Sequence, residues 1–464
     1  MCSIAGMIDL ERDVRELDLT DMETAMIPRG PDQRGAYRDE AAALFHNRLC
    51  VIDAENGRQP MTVSMDGRRY VIVYNGELYN APELRQALQS EGQVCSTRSD
   101  TEVVLRAYIQ WGGACVDRLN GIFAFAVWEP EARRLFLARD RMGVKPLFYA
   151  LRRGALLFSS ELKGLLAHPW VEPEADQASL LELLLTGPGR SPGCGVFRDV
   201  HELLPAGRGY FDENGLRTER YWKLTARPHE ENLADTVAHV RYLVTDAIER
   251  QLVSDVSIGT FLSGGLDSGI ISSVASRWME ERGRRLITFS VDYRDNRKYF
   301  QAGKFQPNTD TDFIPGLRDW LGCENAAVTL DTAELADALY KAVDARDLPG
   351  MADVDASLLA FCKRIREHVT VALSGECADE IFGGYPWYRD ETLRRTEGFP
   401  WAQSTAYRAS FLRPEHLAGC DPREYVLARC RRTAADAEVL ETDSPTDRRM
   451  REMMRLNTDW FMQT

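Results

Sequence analysis

Apolar residues change their spacing along this chain, and the change predicts two differently built halves. In the first two hundred residues the apolar runs are short and strand-like. Arg68-Arg69-Tyr70-Val71-Ile72-Val73-Tyr74 is β-branched and aromatic and meets Asn75-Gly76, which by itself reads as a turn. Phe123, Phe125 and Val127 alternate with Ala124, Ala126 and Trp128. Glu129-Pro130-Glu131-Ala132 then turns the chain into 134–138, which predicts a hairpin. A second strand pair is expected at 147–151 and 155–159, around Arg152-Arg153-Gly154. Helical spacing intervenes at 81–90 and 101–111. The stretch 203–231 is rich in proline, glycine and charge and reads as a connection. Beyond it, helical patterns alternate with short β-branched runs at 286–291 and 369–373, as in a parallel sheet wrapped by helices.

Length agrees with that division, because 464 residues exceed what one core ordinarily organises. The expected domains are 1–210, a linker at 211–235, and 236–464. Apolar content of 44% and charged content of 28% are those of a globular protein. A formal charge of −14 argues against a broad basic grip on nucleic acid, but leaves room for a local phosphate cradle. The ten cysteines include no Cys-x-x-Cys pair, so neither a zinc site nor a disulfide framework is expected. No apolar stretch approaches a membrane span and the start lacks a secretory pattern, so a cytoplasmic enzyme is expected. The seven histidines show no ligand spacing, and His46 beside Arg48 reads as structural.

Candidate chemistry begins at Cys2. Removal of Met1 would leave a thiol and a free α-amine on one residue, a nucleophile with its own base. Reference pKa values of about 8 for the amine and about 8.5 for the thiol make proton exchange between them cheap near neutrality. Four polar patches accompany it: Arg29-Gly30-Pro31-Asp32, Arg48 to Asp53, Asn75 to Asn80, and Ser99-Asp100-Thr101-Glu102. Singly each has a plain reading, a loop for the first, a turn for Asn75-Gly76 and a helix cap for Ser99 to Glu102. Together they offer what hydrolysis of a glutamine side chain needs. Asn75 and Gly76 supply N–H donors for an oxyanion, Arg48 a cation for the substrate carboxylate, and Glu77 and Asp100 carboxylates for its amine.

These motifs, with Asp140-Arg141-Met142-Gly143-Val144-Lys145-Pro146-Leu147 and Ser160-Glu161-Leu162-Lys163, resemble the N-terminal-nucleophile glutaminase domain of the asparagine synthetase B family, a class II glutamine amidotransferase. The resemblance implies an α+β domain of αββα sandwich type, with Cys2 as nucleophile and Asn75 with Gly76 as oxyanion hole. It puts Arg48, Val51, Ile52, Asn75, Gly76, Glu77 and Asp100 at glutamine-binding positions.

In the second half, Phe261-Leu262-Ser263-Gly264-Gly265-Leu266-Asp267-Ser268 joins an apolar run to a helical pattern with Ile270, Ile271, Val274, Ala275, Trp278 and Met279 on one face. Serine and glycines at such a turn expose N–H groups to a phosphate, and no Lys-Ser/Thr follows as in a Walker loop. Ser374-Gly375-Glu376-Cys377-Ala378-Asp379-Glu380 follows another β-branched run, and Asp267 and Asp379 could jointly hold Mg2+. A capped helix start is the plain alternative for the second loop. Both loops resemble the synthetase domain of the same family, an α/β PP-loop ATP pyrophosphatase of the adenine nucleotide α-hydrolase type.

By that resemblance Leu262 and Val291 flank adenine, and Ser263, Gly264, Gly265, Asp267, Ser268, Ser374 and Gly375 complete the ATP site. Asp267 and Asp379 are then metal ligands, and Glu376 assists formation of an acyl-adenylate. The implied reaction takes glutamine, ATP, Mg2+ and a carboxylate acceptor, aspartate, and yields asparagine, AMP and pyrophosphate, with ammonia moving through the interior. It implies no nucleic acid and no membrane, and leaves a homodimer open.

Some features depart from the family. Cys377-Ala378 replaces the usual small residues, Cys377 reading as a packed residue, and the pattern over 292–307 is divergent. The helical pattern of 448–464 stops before the family's Arg-x-Pro-Phe-x-Asp motif and its phosphate-contacting lysine. The chain as written is therefore expected to be truncated, hydrolysing glutamine and synthesising poorly. Other readings are the same chemistry on a different carboxylic acid, an intramolecular amide-forming relative, or a glutaminase or nucleotide-binding remnant. The intact cysteine argues against the intramolecular one, whose members lose that nucleophile.

Overall fold

The structure, a computed structural model, describes residues 1–303 and 308–462. The chain forms two compact units, Met1–Thr225 with Ser404–Tyr425, and Ala226–Gln403 with Val426–Met462.

The first unit holds two six-stranded sheets. One runs, in spatial order, Val200–Glu202, Phe148–Arg152, Ala155–Ser159, Ser3–Ile8, Ala42–Arg48, Gln33–Arg38. The other runs Gly215–Arg220, Gly207–Asp212, Arg134–Arg139, Gly121–Glu129, Arg68–Leu78, Met61–Met65. The strands pair antiparallel. Ile4, Leu44, Val73, Ala126, Leu137 and Phe158 form the core between the sheets. The outer face of the second sheet buries Phe125 and Phe136 under helices Ala81–Ser90 and Asp100–Trp111, through Leu88, Val104 and Tyr108. The short helix Leu162–Leu166 lies against the first sheet, which completes an αββα sandwich. Strands Ser3–Ile8 and Ala42–Arg48 are buried along their whole length because both faces are covered, so they show no polar alternation.

Two expectations fail here for physical reasons. Asn75-Gly76 is not a turn, because the strand runs through it from Arg68 to Leu78, with Asn75 opposite Ala124 and Gly76 opposite Phe123. A Cβ at Gly76 would lie 2.5 Å from the Ile122 carbonyl oxygen and 2.8 Å from Phe123 Cβ, so close approach selects the glycine. Nor is 211–220 a linker. It completes the edge hairpin Gly207–Asp212 with Gly215–Arg220, turning at Gly215 with φ of +85°. Gly209 is there because a Cβ would meet the Arg217 carbonyl oxygen at 2.5 Å.

The second unit is built on a parallel sheet ordered Glu324–Leu330, Ile287–Tyr293, Ile258–Phe261, Val371–Leu373. Helix Leu266–Glu280 covers one face through Val274, Ala275 and Met279. Helix Asp353–Ile365 covers the other through Phe361 and Ile365 against Phe289. Ile270, expected on the buried stripe, is 40% exposed, leaving a narrower stripe from Ile271 to Met279. Near the end, helix Pro445–Leu456 starts from a Ser444–Asp447 capping box and runs into a π turn at Asn457–Phe461. Of the divergent stretch, 304–307 lies outside the described residues, as do 463–464. Among the described residues no helix is long and apolar enough to cross a membrane.

Candidate active sites

Cys2 stands at the mouth of the first unit's central strand. That strand's start is fixed by Ile4 N–H donating to Ser160 Oγ at 3.0 Å, and Ser160 N–H to the Ile4 carbonyl at 2.8 Å. The Cys2 thiol donates to the Leu49 carbonyl at 3.6 Å, and its own carbonyl accepts from Arg29 Nε at 3.0 Å. Arg29 is held by Glu161 at 2.6 Å. Burial pushes the thiol above its ordinary range and lowers the Met1 amine to about 6.

The oxyanion candidates follow from strand geometry. Phe123 N–H donates to Asp140 Oδ2 at 3.1 Å and its carbonyl accepts from Asp140 N–H at 2.8 Å. Both groups of Phe123 thus point away from Gly76, and the Gly76–Phe123 pair is a non-hydrogen-bonded one. The Gly76 N–H therefore points to the opposite edge, where Gln59 Oε1 takes the N–H of Tyr74 at 2.6 Å. Asn75 is 1% exposed, and its Nδ2 is buried without a hydrogen-bond partner. A donor left so at a cost of about 1–3 kcal/mol is a preformed place for an acceptor.

Glu77 and Asp100 lie close enough to repel. Burial, then Asp100, raises the Glu77 carboxyl to about 8. Asp100 accepts from Leu78 N–H at 3.1 Å and from the Tyr74 hydroxyl at 3.3 Å, and burial holds its carboxyl up as well. The helix-cap reading also holds for its neighbours. Ser99 Oγ accepts from Thr101 N–H at 3.2 Å, and Glu102 takes the N–H groups of Ser96 at 2.9 Å and Thr97 at 2.7 Å.

Arg48 does something the sequence did not indicate. Its Nη1 donates to Gln33 Oε1 at 2.8 Å and the Ala54 carbonyl at 3.1 Å, and Nη2 to the carbonyls of Ile52 at 2.8 Å and Asp53 at 2.9 Å. It braces the loop carrying Val51 and Ile52. A cavity of about 410 Å³ beside it is lined by Gln33, His46, Arg48, Arg58 and Gln59 among others, and takes in neither Cys2 nor Asn75. His46 Nε2 sits 3.0 Å from the Tyr74 carbonyl, and burial lowers its pKa to about 4, so the ring is neutral at pH 7.

Sequence reasoning also passed over Asp140 and Lys145 individually. Asp140 accepts from the N–H groups of Phe123, Met142, Val144 and Lys145, at 3.0 to 3.1 Å. Its signal was an Asp three residues before Gly143, whose φ of +70° closes the loop.

In the second unit, three adjacent parallel strands end at one edge of the sheet. Leu262 to Ser268 follows Ile258–Phe261, Val291 lies near the end of Ile287–Tyr293, and Ser374 to Asp379 follows Val371–Leu373. Open parallel sheets bind ligands at this edge. Gly264 has φ of +78°, and Ser263 Oγ and Ser268 Oγ lie 3.0 Å apart across the loop. The two loops touch, since a Cβ on Gly375 would meet Asp267 Cβ at 3.2 Å. Burial, then the charge of Asp379, raises the Asp267 carboxyl. Gly384 shapes the partner carboxylate, because a Cβ there would overlap Asp379 Oδ1. Glu376 is exposed, with its N–H donating to Ser374 Oγ at 3.2 Å. Burial, then Glu380, raises the Cys377 thiol to about 11, which keeps it protonated. Asp310 carries no sequence signal of its own. Its carbonyl closes on Gly264, and burial, then Asp292, raises its carboxyl.

Among the described residues no cluster of three or more metal-ligating side chains occurs. A pair of mutually repelling carboxylates still fits Mg2+, which is held by one or two carboxylates and takes its other oxygens from phosphate and water.

Residues 1–222 match the glutamine amidotransferase domain family, and residues 239–464 the asparagine synthase family. The chain is 44% identical over 465 aligned residues to asparagine synthetase [glutamine-hydrolyzing] 3 of Bacillus subtilis, covering 100% of this chain and 75% of that one. It is 34% identical to asparagine synthetase [glutamine-hydrolyzing] 1 of the same organism, over 86% of this chain and 61% of the relative. It is also 32% identical to amidase chyE of Penicillium rubens, over 79% of this chain and 54% of that protein.

Proposed function

The chain belongs to the glutamine-hydrolysing asparagine synthetase family, and from that premise we propose that it is an ATP-dependent amidotransferase which frees ammonia from glutamine at Cys2 and uses it to convert aspartate to asparagine. With Met1 removed, the Cys2 thiol passes its proton to the α-amine and the sulfur attacks the side-chain amide carbon of glutamine. The oxyanion is taken by Asn75 Nδ2 and the Gly76 N–H. The amine returns its proton to the leaving ammonia, and water releases glutamate from the thioester. Glu77 and Asp100 receive the substrate's ammonium, while Arg48 holds the loop of Val51 and Ile52 around it.

In the second unit, Ser263 to Ser268 and Ser374-Gly375 cradle the phosphates of ATP, and Leu262 and Val291 flank the base. A carboxylate cannot be amidated directly, because oxide is a poor leaving group. Transfer to AMP supplies a better one, with Glu376 beside the reacting carboxyl. Mg2+ bound by Asp267 and Asp379 would neutralise charge on the departing pyrophosphate.

The buried, unpartnered Asn75 amide is the observation that carries this reading, since a packing role would have satisfied it. Asn75→Ala is expected to lower kcat for glutamate release about 10²-fold, with KM for glutamine little changed. Loss in KM alone would remove Asn75 from the oxyanion hole.

Glu77 gives a second expected result. With a carboxyl near 8 it is mostly protonated at pH 7. Because its folded pKa is raised, its contribution to stability is full below the unfolded value of about 4.3 and is lost as pH rises through about 8. An arriving ammonium favours the carboxylate, so glutamine binding should release close to one proton at pH 7 and almost none above about pH 9. Calorimetry of Cys2→Ala with glutamine, in buffers of different ionisation enthalpy, measures this. No buffer dependence at pH 7 would mean that the substrate amine does not meet Glu77.

A further inference from the structure

Lys145 is a lysine in an unusual place, only 5% exposed, on the loop that Asp140 organises. Its backbone is clamped at both ends. Its N–H donates to Asp140 Oδ2 at 3.0 Å, and its carbonyl accepts from Arg139 Nε at 2.8 Å. The side chain runs inward to the N-terminus, where Nζ ends 2.8 Å from Met1 Sδ. A thioether is a weak acceptor and a poor partner for a buried ammonium. Met1 is also the residue whose removal would complete the nucleophile.

The titratable groups around Nζ come from several elements. Glu77 acts on it from the Arg68–Leu78 strand, Cys2 from the chain start and Asp140 from its own loop, while Arg29, and the Met1 amine when protonated, act as like charges. Asp100 and Arg48 act on the same cluster through Glu77, and Asp32 through the amine. Burial is the largest influence and lowers the lysine's pKa; Glu77 and Cys2, when ionised, favour the ammonium, and Arg29 opposes it. A lysine used only for packing would carry its charge to solvent along its flexible stem. This one is held among the groups of the reaction.

We propose that Lys145 is the positioning cation of the glutaminase nucleophile: once Met1 is removed, its ammonium exchanges the Met1 sulfur for the Cys2 sulfur and holds the latter as thiolate. This rests on the glutaminase reading given above. The proton leaves the thiol for the Cys2 α-amine, and Lys145 keeps its own protons throughout. It touches neither glutamine nor the thioester carbon.

The test is the pH dependence of Cys2 alkylation by iodoacetamide, read by mass on the N-terminal peptide of protein whose Met1 removal is verified by intact mass. Lys145→Met and Lys145→Gln should move the alkylation midpoint up by about one pH unit, or about tenfold slower reaction at pH 7. Lys145→Arg, which keeps the charge, should stay near the parent. The acid limb of glutaminase kcat/KM should move with the midpoint. A packing role would change melting and kcat without moving either. If Lys145→Met does not fold, Lys145→Gln carries the comparison. An unchanged midpoint in the neutral variants, or an equal shift in Lys145→Arg, overturns the proposal. Absence of glutamate release in the parent would instead defeat the glutaminase reading, and the alkylation midpoint would still report on Lys145.

Discussion

Cys2→Ala abolishes release of glutamate from glutamine, by about 10⁴-fold or more, the scale on which removal of a nucleophile acts. The expectation rests on position as well as residue type. Cys2 precedes a strand that is buried from Ser3 to Ile8 and tied to Ser160 by a reciprocal pair of hydrogen bonds. Alanine changes nothing in those ties, so melting should move little. ATP–pyrophosphate exchange supported by aspartate should stay at the parent's level, because it draws on the second unit alone. A variant that loses exchange together with glutaminase would show that Cys2 acts through structure. Serine is the sharper control: it keeps the shape and a hydroxyl, and its higher pKa still removes most of the rate.

The second large effect is expected at Asp267. Asp267→Asn should lower AMP formation about 10³-fold, several kcal/mol of lost charge stabilisation on phosphate, while glutamate release continues. Its stability should not fall and should rise slightly at neutral pH. Burial and the charge of Asp379 both disfavour the Asp267 carboxylate in the folded chain, and the amide relieves both. A structural role as a helix-start carboxylate predicts the reverse, since Asp267 opens the helix Leu266–Glu280 and its charge would complement the dipole there. Urea unfolding without nucleotide, beside an AMP assay, separates the two. Lower stability with unchanged AMP formation would leave Asp267 a capping residue.

Much of this was legible in the residues, and the failures share a cause. The hairpin at Gly121–Glu129 and Arg134–Arg139 and the helices at Ala81–Ser90 and Asp100–Trp111 follow from local period. Asn75-Gly76 misleads because local statistics favour a turn, whereas the glycine answers to Phe123 and Ile122 on the neighbouring strand. Gly207, Gly209 and Gly215 look like linker composition for the same reason and instead build an edge hairpin. The candidate glutaminase residues stand out in the sequence because their types are unusual for their surroundings. What could not be read was where each polar group directs its hydrogen bonds. Arg48 faces inward onto the carbonyls of its own loop, and Asp140 gathers four N–H groups. Lys145 ends at the chain start, 144 residues away in sequence. Such partners are fixed by tertiary approach and leave no local period.

The ammonia freed at Cys2 is expected to be used for ATP-dependent amidation. The most direct measurement of this follows the label from amide-15N glutamine while counting AMP, with ATP, Mg2+ and aspartate supplied. The predicted result is asparagine carrying the label in its side-chain amide, formed one-to-one with AMP, and the ratio rather than the rate is decisive. Label appearing only as free ammonium, with glutamate formed and no AMP, would contradict it.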